Sequence, residues 1–263
     1  MSVAMSEQKF MIRFCKAGII SITACYQKTM ALLCGKHPNL YPWHFQWTAI
    51  RDLNRDLADV LPTLEGRVLD AGCGLQPYRF LLPSVTDYVG MDVVPGPFVD
   101  YLVKTGERFP FLDESLDAVL CTQVLEHVED EVFFLDEIAR VLKPGGRLVI
   151  SIPFIYQVHG APHDYRRLSE FGLRRLLPGY TVERVNHQGG IGTSLATLSL
   201  GWLHTQLDAT TPTSLVKMLI TPLLLPLQAV VNLLGVLLDC CDSTRAFYGN
   251  LLAVAVKNSD GSK

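Results

Sequence analysis

The sequence predicts an α/β fold built on an open, mostly parallel sheet covered by helices on both faces. Three observations lead there. Short apolar runs alternate with helical stretches from Gly66 onward. Those runs are almost continuously apolar, as strands buried on both faces must be. The first of them closes on a Gly-x-Gly turn, where such a sheet presents its ligand edge.

The elements follow in order. GRVLDAG, closed by Gly72, is a buried strand; TDYVGMDVV, SLDAVLCTQ and GRLVISIP are three more, the last entered through the turn KPGG. Between them, YRFLLPSV reads as a helix. EDEVFFLDEIARVLK is a clearer one, with acids at its start and Phe134, Leu135, Ile138, Val141 and Leu142 on one face. After Pro153 the pattern changes. SEFGLRRLL reads as a helix, YTVERVNHQ alternates like a strand, and a long apolar section fills residues 191–238. NLLAVAVKN then reads as a final strand before a polar tail. Four units are expected: an N-terminal helical extension (1–50), the core (51–190), an apolar helical insertion (191–248), and the last strand with its tail (249–263).

With 263 residues and 49% hydrophobic content, the chain can form one sizeable core with an appendage. A net charge of −3 argues against a nucleic-acid partner, which selects for a basic excess. The seven cysteines form no CxxC pair, so neither a zinc site nor a disulfide framework is expected, and buried thiols in a reducing, cytoplasmic compartment are the plain reading. Lys9, Arg13 and Lys16 precede AGIISITACYQ, which is too short and too interrupted for a good signal peptide. It reads as a helix lying on an apolar surface, either a membrane or the protein's own core.

What binds at the glycine turn follows by elimination. A dinucleotide fingerprint needs a third glycine where Pro77 stands, and no Gly-Lys-Ser/Thr loop occurs. Asp70 would repel a phosphate and suit an ammonium. Asp92, ending the second strand, can accept hydrogen bonds from a ribose diol. A ligand with a ribose, an amino group and no phosphate is implied, and S-adenosylmethionine fits that description. The plainer alternative is a tight turn and nothing more.

VLDAGCG, YVGMDVV, FPFLDESLDAVLCTQVLEHVED and RVLKPGGRLVISIPF, taken in that order, resemble the motifs of the class I S-adenosylmethionine-dependent methyltransferases of the type 11 group. The resemblance covers about Gly66 to Phe154. It implies a Rossmann-like, seven-stranded sheet whose last strand is antiparallel. It places the cofactor on the loop Asp70, Ala71, Gly72, Cys73 and Gly74, with Asp70, Gly72 and Gly74 along its methionine part. It gives Asp92 the ribose, puts Thr105, Gly106 and Glu107 near adenine, and puts Thr122, Gln123 and Val124 on the sulfonium side. Glu126 and His127 orient that loop, with a direct catalytic role for His127 as the lesser reading.

The acceptor is expected beside FIYQVHGAPHDYRRLS, directly after the strand ending at Pro153. There His163 or His159 would serve as base, with Asp164 orienting it, Tyr165 beside it and Arg166 or Arg167 reading an anionic acceptor. A solvated loop whose Asp-Arg pair holds the next helix is the competing reading. Type 11 members often carry a similar PHDYRR-like segment. No metal is expected.

MLITPLLLPLQAVVNLLGVLL, residues 218–238, contains no charge and is long enough to span a bilayer. Pro222 and Pro226 are expected to break its first half. Because a core strand follows, a single crossing would leave that strand on the wrong side. The segment should therefore leave and return on one side. Peripheral (monotopic) membrane contact, a homodimer interface and a cap over the substrate are three open readings. The expected activity is methyl transfer to oxygen on a saccharide or lipid-linked acceptor, at the cytoplasmic face of a membrane. A small-metabolite methyltransferase of quinone or polyketide type is the alternative, and a membrane-associated cofactor-binding protein without turnover is the alternative outside enzymes.

Overall fold

The computed structural model describes residues 26, 28–210 and 214–259. Most of the N-terminal extension and the end of the polar tail lie outside the described residues. Strands β1 (Gly66–Ala71), β2 (Val85–Asp92), β3 (Tyr101–Leu102), β4 (Leu116–Thr122), β5 (Leu142–Pro153), β6 (Tyr180–Gln188) and β7 (Asn250–Lys257) form one seven-stranded sheet in the order β3-β2-β1-β4-β5-β7-β6. The first five strands in chain order run parallel; β7 inserts antiparallel between β5 and β6, as expected for the last strand. The order reverses between β1 and β4, the switch point at which open sheets bind ligands.

The side-chain alternation of the strands divides the core. Val68, Leu120 and Val149 face one side with Leu252, under helix α1 (Trp47–Val60) through Leu53, Leu57 and Val60. Leu69, Val119 and Ile150 face the other, under helix α2 (Glu131–Val141) through Leu135 and Ile138. Burial on both faces explains why these strands read as continuous apolar runs. α1 straddles the boundary expected at residue 50 and packs on the sheet. It also buries two acids: Asp52 accepts from the Gly189 N–H and Asp56 from the Gln188 amide, each at 2.9 Å.

Two helices differ from expectation. YRFLLPSV forms only the 3-10 turn Arg79–Leu81, because Pro83 removes a backbone donor within one turn and the chain must enter β2 two residues later. In the apolar section, helix α4 (Ile191–Thr210) and helix α5 (Ser214–Asp239) form an antiparallel hairpin, and α5 runs unbroken through Pro222 and Pro226. Both prolines lie on its exposed side. Contacts from Thr221 and Gln228 on the opposite side hold the helix through the missing donors. At the base of the hairpin, Gly192 and Gly235 let the two backbones meet: a Cβ on Gly192 would lie 2.0 Å from the Gly235 carbonyl oxygen. The short helix α3 (Glu170–Arg175) matches SEFGLRRLL in place.

The Glu137–Arg140 pair ties α2 to the loop that carries Phe109. Arg140 donates to both Glu137 oxygens at 2.8 and 2.7 Å, and also to the Phe109 and Phe111 carbonyls. These hydrogen bonds hold the Glu137 carboxyl below its usual range. That stabilisation is fully present above the ordinary carboxylate value and fades as pH falls toward the lowered one. Arg140→Leu should cost about 3 kcal/mol, since it strands a largely buried carboxylate. Urea unfolding at neutral pH checks this, and a loss under about 0.5 kcal/mol, typical of surface changes, would contradict it.

Candidate active site

At the end of β1 the chain reverses over β2. The Gly72 and Cys73 N–H groups both donate to the Met91 carbonyl, at 2.8 and 3.1 Å. Gly72 holds φ +82, and a Cβ there would lie 2.4 Å from Val124. Asp92 then pins the loop: its two oxygens accept from Gly74 N–H at 2.9 Å and Val94 N–H at 3.0 Å. A carboxylate has about four acceptor positions, so two backbone bonds leave room for a ligand.

These groups border a cavity of about 480 Å³. Gly72, Asp92, Thr105, Gly106, Glu107, Gln123, Val124 and His127 line it, as expected for most of them. Phe109, Phe133 and Phe134 add an aromatic wall that the sequence reading missed, although Phe133 and Phe134 lay on an α2 already read as amphipathic. Ala71, Cys73, Gly74 and Thr122 stand outside the lining. Ala71 is core, and the buried Cys73 thiol is pushed up to about 12 by burial first and by Asp70 next.

Asp70, expected along the methionine part, also stands outside the lining. It is buried behind the glycine turn, accepting from the Tyr88 hydroxyl at 2.5 Å. Burial raises its carboxyl to about 7, Tyr88 opposing and Asp92 reinforcing.

A second cavity of about 240 Å³ lies across Gln123, which lines both. Gln123 takes φ +56 and donates from Nε2 to Ser151 Oγ at 3.1 Å and Asn250 Oδ1 at 2.9 Å. Asn250 donates in turn to Gln188, and Gln188 to Asp56. This amide chain, with Gln46, Tyr156 and His159, supplies the polar groups of a cavity walled otherwise by apolar residues, among them Ala49, Ile50, Leu53 and Ile155. Gln188 and Asn250 were missed in the sequence. The signal for them is a polar residue closing one strand and opening the next, set opposite each other by the β6–β7 register.

The loop after β5 divides the expected catalytic residues. His159 lines the second cavity. Its Nδ1 lies 3.3 Å from the Gln157 carbonyl and 3.4 Å from Asp164 Oδ2, and burial lowers its pKa. His127 lines the first cavity, with Nδ1 against the His163 carbonyl. His163 and Tyr165 are exposed, bonded to each other at 2.8 Å, and line neither cavity. Asp164 takes a bidentate bond from Arg167 at 2.6 and 2.8 Å, which holds its carboxyl well below the usual range. Arg166 donates to the Leu125, Val128 and Glu129 carbonyls and to Glu131. Both guanidiniums are thus engaged by protein groups, Arg167 within this loop and Arg166 across to the connection between β4 and α2.

Between the two cavities sits Glu126. It is fully buried, and neither carboxylate oxygen has a hydrogen-bond partner. The Nε2 atoms of His127 and His159 lie 3.9 and 3.8 Å from its Oε1. Burial pushes this carboxyl up to about 7, with the Arg167 charge opposing and the Asp164 charge reinforcing. Glu126, His127 and His159 bring three potential ligand atoms within 4.8 Å of one another.

Residues 69–150 match the family described as methyltransferase domain. The ubiquinone biosynthesis O-methyltransferase of Cereibacter sphaeroides (strain ATCC 17025) is 34% identical over 117 residues, 38% of this chain and 46% of that protein. The enzyme of the same name from Rhizobium rhizogenes is 35% identical over 121 residues, 39% and 47% of the two chains. The O-methyltransferase rstn1 of Aspergillus nomiae is 27% identical over 161 residues, 54% of this chain and 72% of that one. The chain spans about half the length of the ubiquinone-pathway relatives it matches. Among solved structures, the [4+2]-cyclase SpnF superposes with a TM-score of 0.53 at 20% identity, covering 81% of this chain and 83% of that one. A neighbour named for cyclisation speaks for the fold alone. The sheet order and the glycine turn agree with that match, so residues 69–150 resemble a type 11 methyltransferase domain.

Proposed function

We propose that this protein uses S-adenosylmethionine to methylate a hydroxyl of a small, quinol-like acceptor. The observation that carries the reading is the pair of cavities sharing Gln123, one bordered by Gly72 and Asp92, the other by His159. The first cavity fits the cofactor. A side chain at Gly72 would collide with Val124, and nothing protein-borne lies within 4 Å of where a Cβ on Gly106 would stand. Asp92 would hold a ribose diol, and Phe109, Phe133 and Phe134 would pack against an adenine ring. When bound, S-adenosylmethionine supplies an electrophilic methyl group on a sulfonium.

The chain's own residues align the acceptor, exclude water and take its proton. Asp92 would hold the ribose hydroxyls. Gln123, fixed by Ser151 and Asn250, forms the partition beside which the acceptor oxygen sits. With Nδ1 donating to the Gln157 carbonyl, His159 Nε2 keeps its lone pair and receives the acceptor proton. The relatives named as ubiquinone-pathway O-methyltransferases support oxygen and a small acceptor. The amide-rich second cavity also suits a sugar ring, which keeps a saccharide acceptor as the second reading.

Calorimetric titration with S-adenosylmethionine and S-adenosylhomocysteine tests the cofactor. Micromolar binding is expected, and Asp92→Ala should weaken it by about 1–3 kcal/mol. Unchanged affinity in that variant would remove Asp92 from the site. Radiolabelled methyl transfer to a dihydroxybenzene, compared with a lipid-linked saccharide fraction, separates the two acceptor readings.

A further inference from the structure

The α4–α5 hairpin is inside-out for a protein surrounded by water. On α5, the residues turned into the body are polar: Thr221, Gln228 and Asn232 are each 4% exposed or less. The residues turned outward are apolar, with Leu219, Leu223, Leu227 and Leu234 between 50% and 77% exposed. α4 repeats the pattern in part, burying Thr193, Ser194 and Thr197 beside Ala196 and Leu200 while exposing Leu195 and Trp202. A water-facing helix puts its apolar stripe inward. An outward stripe from Leu219 to Leu238, about 29 Å long at 1.5 Å per residue, implies an apolar medium outside.

We propose that this face lies on a lipid bilayer as a monotopic contact, with anionic lipid favoured. The hairpin is fastened to the body along its length, so it lies against the membrane rather than crossing it. Thr221 Oγ1 is 3.3 Å from the Tyr26 hydroxyl, and Asn232 donates to the Pro42 and His44 carbonyls at 2.8 and 2.9 Å; within the hairpin Gln228 bonds His204 of α4 at 3.0 Å, and that imidazole stacks on Phe45 with ring centres 3.9 Å apart. The charges on the hairpin are met within the protein: Lys217 pairs with Asp208, and the Asp239 carboxylate accepts from the Thr193 N–H and hydroxyl. The preference for anionic lipid comes from the chain beyond the described residues. Residues 1–25 carry Lys9, Arg13 and Lys16 against Glu7, and they join the body at Tyr26, beside α5. A basic segment leaving an apolar face matches phosphate headgroups around a hydrocarbon interior.

The test is flotation of the full chain with vesicles of phosphatidylcholine alone and mixed with phosphatidylglycerol. The protein should float with both and more completely with the mixture. Leu223→Glu/Leu227→Glu/Leu234→Glu should lower the floated fraction roughly tenfold or more while S-adenosylhomocysteine binding stays intact. Lys9→Ala/Arg13→Ala/Lys16→Ala should abolish the difference between the vesicles. Failure to float with either vesicle overturns the proposal. So does a monodisperse dimer that the leucine variant dissociates and that does not float, which makes a second copy the occupant. Should the leucine variant not fold, quenching of tryptophan fluorescence by brominated lipid in the unmodified protein replaces it. Trp202, 65% exposed on the same face, should be quenched, and unquenched emission overturns the proposal. None of these readouts depends on methyl transfer, so the two readings fail separately.

Discussion

Gly72→Ala should lose cofactor binding by at least about tenfold, together with roughly 1–3 kcal/mol of stability. Two separate effects act there. The residue holds φ +82, which an L side chain rarely adopts. Its new Cβ would also stand 2.4 and 2.9 Å from the two Val124 methyls. Val124 lines the cofactor cavity, so the collision is relieved by moving Val124 into the cavity or by lifting the turn off Met91. Either movement changes the shape presented to the ligand. Gly74→Ala is the matched comparison. Its φ of +49 carries backbone strain, but nothing lies within 4 Å of the added Cβ. It should lose stability with a smaller loss of binding. Calorimetry and thermal melts on both variants decide the matter: equal affinities for wild type and Gly72→Ala would mean that the turn does not shape the site.

The elements that could be read from the sequence are those fixed by local pattern. β1, β2, β4, β5 and α2 follow from apolar runs and a 3.6-residue period, and the place of β7 follows from its position after the insertion. The two-residue β3 has no such pattern: Tyr101–Leu102 pairs only with Met91 and Asp92 at the sheet edge. The same divide runs through the site. Gly72 and Asp92 were legible because strand ends reach the ligand edge directly. The burial of Asp70 was not legible, because its partner, the Tyr88 hydroxyl, is 18 positions away and reached only across the β1–β2 pair. Gln188 and Asn250 are 62 positions apart, and only β-sheet register brings them together. In the loop after β5 the sequence offered two histidines, and the choice between them rests on side-chain direction. His159 turns inward beside Gln123, while His163 turns out to Tyr165.

That choice leads to the second large effect. His159→Gln should lower kcat by about 10²–10⁴, the usual contribution of a positioned general base, with S-adenosylhomocysteine affinity unchanged. Asp164 fixes the backbone of His159 by accepting its N–H at 2.8 Å, and Arg167 fixes Asp164. The ring therefore has a defined direction before any acceptor arrives. Desolvation lowers its pKa, so the imidazole is neutral, and able to accept a proton, throughout the neutral range. kcat should accordingly fall on acidification through a pKa below the ordinary histidine value and level off by neutral pH. In His159→Gln that acid limb should vanish along with most of the rate. A residue that served packing alone would lower the rate at every pH and leave the shape of the profile intact. His163→Ala should keep both rate and profile, because His163 borders neither cavity. If instead His163→Ala removes the limb and His159→Gln keeps it, the base lies on the outer side of the loop, and the second cavity is not where the acceptor binds.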